Sequence, residues 1–147
     1  MGCRARILCL GNRLWSVDDI GPRVFDVLSN LELPSATELI DGGVRGLDLL
    51  YRFEGVWLVV IVDTLNGFGD HGAVIELTRA EVANLCHGRF DHVAGLPYLM
   101  HILPQVCDGP VPVIRIIGAA SGSKAAVIEA IATRCVDYCS QFAALAP

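Results

Sequence analysis

A chain of 147 residues with 53% hydrophobic and 18% charged residues is long enough for one domain with a substantial core and too apolar to be disordered. The formal net charge is −5 and Lys124 is the sole lysine, so no basic stripe is available for nucleic acid. The longest apolar runs are strand-sized, short of the roughly 20 residues a membrane helix needs, so no membrane insertion is expected.

The opening Met1-Gly2-Cys3-Arg4-Ala5-Arg6 leads into a strand rather than a secretory segment, and Arg6 stands where a myristoylation signal needs Ser or Thr. Ile7 to Leu10 is a short apolar run closed by Gly11-Asn12 and reads as strand one. A helix is expected from about Asp19 to Asn30, because Ile20, Val24, Val27, Leu28 and Leu31 keep helical spacing. Asp18 or Asp19 can cap it, and Pro22 fits its first turn. Thr37 to Ile40 is strand two, ending at Asp41-Gly42-Gly43, and Gly46 to Phe53 is a short helix. Trp57 to Val62 is apolar on both faces and so reads as a central strand three, closed by Asp63. Ala73 to Leu77 is strand four, His92 to Leu103 a helix with Pro97 in its first turns, Pro112 to Ile117 strand five, and Ser123 to Ala144 a terminal helix.

This alternation predicts a single-domain α/β three-layer sandwich over residues 1–147. The loop 66–72 between strands three and four is too short for a crossover helix, so strand four is expected to run antiparallel. Ligands of open α/β sheets bind beyond the carboxyl ends of the strands, at the topological switch point. Asp18 follows strand one, Asp41 ends strand two and Asp63 ends strand three. If strands one and three are neighbours, Asp18 and Asp63 face one crevice, which His92 must reach over the top.

Several chemistries lack their motifs. Only one glycine follows strand one, against the three of a dinucleotide fingerprint, so no organic cofactor is expected. Gly118-Ala119-Ala120-Ser121-Gly122-Ser123-Lys124 has the wrong spacing for a phosphate loop and reads as a turn before the last helix. There is no Gly-x-Ser-x-Gly elbow. Cys3, Cys9, Cys86, Cys107, Cys135 and Cys139 form no C-x-x-C pair and read as reduced, small apolar residues of a cytoplasmic protein. Metal or acid-base chemistry remains. Taken singly, Asp18 is a helix cap and His92 an ordinary helix-start histidine, whereas a carboxylate closing a buried strand, as Asp63 does, needs a partner.

Five segments together resemble the hydrogenase maturation endopeptidases: Gly11-Asn12, Asp18-Asp19-Ile20-Gly21, Asp41-Gly42-Gly43-Val44-Arg45-Gly46-Leu47, Val60-Ile61-Val62-Asp63 and His92-Val93-Ala94-Gly95-Leu96. Their order and spacing follow the family from about Ile7 to Gly118. The resemblance implies a phosphorylase/hydrolase-like α/β/α sandwich with a mixed five-stranded sheet, strand four antiparallel. It implies an endopeptidase that removes the C-terminal extension of a nickel-iron hydrogenase large-subunit precursor after nickel insertion. Asp18, Asp63 and His92 are then the metal ligands, the nickel is supplied by the precursor, and Asp18 and Asp41 are the candidate catalytic carboxylates, with Asp19 a second candidate for the base. A cytoplasmic monomer whose partner is the nickel-loaded precursor is expected. Two departures stand out: Val17 and Asp19 shift the acid pair of the first box by one position, and Val44 replaces a threonine. The altered first box motivates an alternative, a non-catalytic factor that binds the precursor and checks its nickel. A small-molecule hydrolase, or another endopeptidase on the same fold such as a spore germination protease, fits the chain length and motif order less well.

Overall fold

The computed structural model describes residues 4–44, 47–70, 72–85 and 95–145. Five strands make one sheet in the order β2-β1-β3-β5-β4: β1 Ala5–Leu10, β2 Thr37–Gly43, β3 Leu58–Thr64, β4 Ile75–Thr78 and β5 Val113–Ala119. β1 pairs in parallel with β2 and β3, β3 with β5, and β4 runs antiparallel to β5. The expected mixed sheet, central β3 and reversed β4 are all present.

Period-two alternation sorts the strand side chains onto two faces. Ile7, Cys9, Val60, Val62 and Ile117 point to one face, covered by α1 (Ile20–Leu28) and α4 (Ala125–Leu145) through Ile20, Val24, Ile131 and Cys135. Leu8, Leu10, Val59, Ile61 and Ile116 point to the other. There a 3-10 segment, Leu47–Phe53, with α2 (Arg79–Ala83) and α3 (Leu96–Val106) supplies Phe53, Val82, Leu99, Met100 and Leu103. Cys9, Cys135 and Cys139 are buried, as apolar residues are, and burial pushes the Cys9 and Cys135 thiols up.

Helix α2 is an element the hydrophobic pattern does not announce, being only five residues long. Its signal is local. Thr78 Oγ accepts from the Glu81 N–H at 3.1 Å and the Glu81 carboxylate accepts from the Thr78 N–H at 3.0 Å, a complete capping box. Arg79, the first residue of α2, donates to the Met100 carbonyl at 2.7 Å. That carbonyl lacks its usual i+4 donor, because Pro104 stands four residues on and has no N–H. One guanidinium thus ties α2 to α3 and satisfies the acceptor that proline leaves. The expected start of that helix at His92 lies outside the described residues; within them Gly95 is the N-cap, the helix begins at Leu96, and Pro97 falls in its first turn.

At α1 the expectation of an aspartate cap is corrected. Asp19 holds the N-cap position, but neither its side chain nor that of Asp18 makes a capping bond. A 3-10 turn, Ser16–Asp18, runs directly into the helix, and Asp19 has φ −112° and ψ 8° instead of the extended geometry of an N-cap. The Ile20 N–H is met from the sheet by Thr64 Oγ1 at 3.4 Å. The loop after β5 is a turn before α4, as its spacing indicates: Ser123 Oγ donates to the Ala120 carbonyl, and Gly122 takes φ +77°.

Candidate functional site

Strand order fixes where chemistry can gather. β1 leads away to β2 on one side, while β3, β5 and β4 lie on the other, so the switch point falls between the carboxyl ends of β1 and β3. Asp18 follows the first of these strands and Asp63 ends the second. Both line a cavity of about 160 Å³ whose walls include Gly11, Gly43, Gly95 and Leu96.

The loop carrying Asp18 is held by its own backbone. Asn12 N–H donates to the Asp18 carbonyl at 2.7 Å, and Asp18 N–H donates to the Trp15 carbonyl at 2.9 Å. The Asn12 side chain accepts from the Leu14 N–H at 2.9 Å, an Asx turn that closes the loop. Gly11 is required: its φ is +140°, and a Cβ there would lie 2.5 Å from the Asp18 carbonyl oxygen.

Asp63 shares the parity of Val59 and Ile61 and so points to the α2/α3 face of the sheet. Its Oδ1 accepts from the Thr64 N–H at 2.8 Å. Burial pushes its carboxyl up to about 7; the Thr64 N–H opposes that rise and the nearby Asp18 charge adds to it. In the sheet register Asp63 stands opposite Gly118, where a Cβ would lie 1.9 Å from the Asp63 carbonyl oxygen. Gly118 is thus a requirement of the site that emerges only from the register of β3 on β5.

Asp41 is placed differently. It lines an adjoining groove of about 250 Å³ that shares Gly11, Gly43 and Val44 with the cavity of Asp18 and Asp63. Arg13 occupies this groove, with one guanidinium nitrogen on both oxygens of Asp26 at 3.0 and 2.8 Å and another on Asp41 at 3.4 Å. Asp19 adds an unpaired polar atom, since its Oδ1 is buried without a hydrogen-bond partner among the described residues. His92 lies outside the described residues, as do His71 and His87, and the chain re-enters three residues after His92, at Gly95 on the cavity wall.

The donor chemistry suits a cation. Two carboxylates face one small cavity, and the charge of one hinders ionisation of the other, a conflict that a divalent metal resolves. Among the described residues no three His, Cys, Asp or Glu side chains gather as a metal-binding group, and Asp18 and Asp63 are the two acidic residues on this cavity.

The fold has counterparts among solved structures. The chain is similar to the hydrogenase-maturating endopeptidase HybD from E. coli, with 24% identity and a TM-score of 0.70, covering 92% of this chain and 88% of that one. It is similar to the hydrogenase 2 maturation peptidase from Thaumarchaeota archaeon SCGC_AB-539-E09, with 25% identity and a TM-score of 0.56, covering 92% and 94%. It is also similar to the [NiFe] hydrogenase maturation protease HycI from Thermococcus kodakarensis KOD1, with 18% identity and a TM-score of 0.68, covering 97% and 93%. No protein-family model and no curated protein matches the chain. This chain has the fold of these hydrogenase maturation proteases, the fold that the ordered sequence segments lead one to expect.

Proposed function

We propose that this chain is an endopeptidase that removes the C-terminal extension of a nickel-iron hydrogenase large-subunit precursor once nickel has been inserted. The observation that carries the reading is the meeting of Asp18 and Asp63 in one cavity at the switch point of this fold. Asp18, Asp63 and His92 are proposed to engage the nickel that the precursor brings. No organic cofactor has a place in the scheme, and a cytoplasmic monomer is its proposed setting.

When bound, the metal supplies recognition and Lewis acidity toward the scissile carbonyl. The chain's own groups do the rest. Asp63, pushed up to about 7, holds a proton part of the time at neutral pH and must release it to act as a ligand. With Asp18 and Asp63 engaged, Asp41 is the carboxylate left beside the cavity, and we assign it the activation of water. Arg13, bonded to Asp41 and Asp26, holds it in the adjoining groove.

The test is incubation of purified nickel-loaded precursor with wild-type, Asp18→Ala and Asp41→Asn protein, followed by intact mass. Wild-type protein should release the extension, Asp18→Ala should fail to cut while keeping its fold, and Asp41→Asn should bind but cut slowly. Binding without any cleavage by wild-type protein would establish instead the nickel-checking factor, which the Val17 and Asp19 departures favour.

A further inference from the structure

We propose that the apolar cavity on the far side of Asp63 is a specificity subsite, seating an uncharged apolar stretch of substrate peptide next to the scissile bond. The proposal rests on the endopeptidase reading and adds to it which peptides are accepted. The cavity measures about 610 Å³, within the roughly 300–1,000 Å³ typical of ligand sites. Its walls are Phe68 from the β3–β4 loop, Leu77 of β4, Val82 of α2, Leu85 just beyond it, and Leu96 of α3. Asp63 is the only charged side chain on it among the described residues, so a charged substrate group placed deep in it would lose hydration without a partner.

Two observations choose a peptide as the occupant. Asp63 and Leu96 line both this cavity and the smaller one holding Asp18, so an extended chain passing between them runs over the carboxylates. Asn66, at the edge, accepts from the Ser121 N–H at 2.9 Å and the Ser121 hydroxyl at 3.3 Å through its Oδ1. Its amide group is thereby oriented, and its NH₂ has no hydrogen-bond partner among the described residues, leaving it for a backbone carbonyl of the peptide. Phe68 and Leu85 are 38% and 36% exposed at the mouth, which leaves apolar area to be covered when a chain enters.

The experiment has two arms. In the first, wild-type and Leu85→Lys protein cleave nickel-loaded precursor in two forms, native and with Asp replacing the apolar residue beside the cut bond. Wild-type protein should lose at least about tenfold in kcat/KM on the Asp form, and Leu85→Lys should lose activity on native precursor while recovering it on the Asp form. Leu77→Lys is the second variant should Leu85→Lys melt early. In the second arm, N-acetyl-leucine amide and N-acetyl-aspartate amide are titrated into the full chain and amide resonances followed. The leucine derivative should shift Leu77, Val82 and Leu96, and the aspartate derivative should leave them in place. Equal cleavage of both precursors by wild-type protein, or equal shifts from both derivatives, overturns the subsite. If wild-type protein cuts neither precursor, the endopeptidase reading falls and the second arm alone decides the subsite.

Discussion

Asp63 makes the electrostatics of the site measurable. Its carboxyl is raised from the ordinary 3.8 to about 7 by burial and by Asp18. Below about pH 4 the group is protonated in both the folded and unfolded chain and contributes nothing. Between these values the folded chain keeps a proton that the unfolded chain has released, so stability falls as pH rises, and above 7 the full penalty is present. Asp63→Asn removes the ionisation while keeping an acceptor for the Thr64 N–H. In metal-free protein it should therefore raise the unfolding free energy at pH 8 by roughly 1–3 kcal/mol and change it little near pH 4. Urea titrations at the two pH values check this, and a gain that did not grow with pH would be the wrong result. Asp19 behaves differently despite its adjacency to Asp18. It makes no cap and carries a buried oxygen unpaired among the described residues, so Asp19→Ala should leave stability within about 0.5 kcal/mol of wild type or raise it. Thermal melts of Asp19→Ala beside wild type test that, and a loss above 1 kcal/mol would reinstate the cap.

Among the elements, those with strong periodicity were legible from the sequence and those held by side-chain bonds were not. The short apolar run Ile7 to Leu10 closed by Gly11-Asn12 and the unbroken apolar run before Asp63 reveal β1 and β3, and the short 66–72 loop reveals the reversal of β4. Asp18 and Asp63 were legible as partners because switch-point geometry depends only on strand order. The register that puts Gly118 behind Asp63, and the pairing of Arg13 with Asp26 and Asp41, come from contacts 55, 13 and 28 residues apart in sequence, which no local pattern encodes. Helix α2 and its tie to α3 belong to the same class. The bond from Arg79 to the Met100 carbonyl exists because Pro104 cannot supply one. Arg79→Ala should cost about 1–3 kcal/mol by stranding that acceptor. Pro104→Ala restores an intrahelical N–H, so Arg79→Ala should be milder in the Pro104→Ala background, with a coupling of at least about 0.5 kcal/mol in a double-mutant cycle. Strict additivity of the two changes would show that the carbonyl does not need the guanidinium.

Across the whole molecule the apolar surface is unevenly spread around the site. Leu14, Trp15 and Val17 stand on the loop that delivers Asp18, and Val44 follows β2 on the wall shared by the two cavities. Leu14 is 95% exposed and Val44 72% exposed, whereas the apolar side chains of β1 and of β3 up to Val62 are buried. The loop is fastened by backbone bonds and by Asn12, so these side chains add nothing visible to its folding and are free to be covered by another surface. Under the proposed function, a folded precursor docking at Asp18 would meet the loop that carries them, whereas a short peptide held in the cavities need not. Replacing Leu14 and Trp15 by Ser together should therefore leave thermal stability within about 0.5 kcal/mol, as surface changes usually do. It should raise KM for folded precursor at least about tenfold, since burying one such side chain contributes roughly 1.5–3 kcal/mol. Turnover at saturating precursor should hold, because the carboxylates are untouched. A short peptide spanning the cut site should be processed with unchanged kcat/KM. Steady-state cleavage of both substrates by the double variant is the measurement, and an equal loss on peptide and precursor would mean that the loop acts through Asp18 rather than as a docking surface.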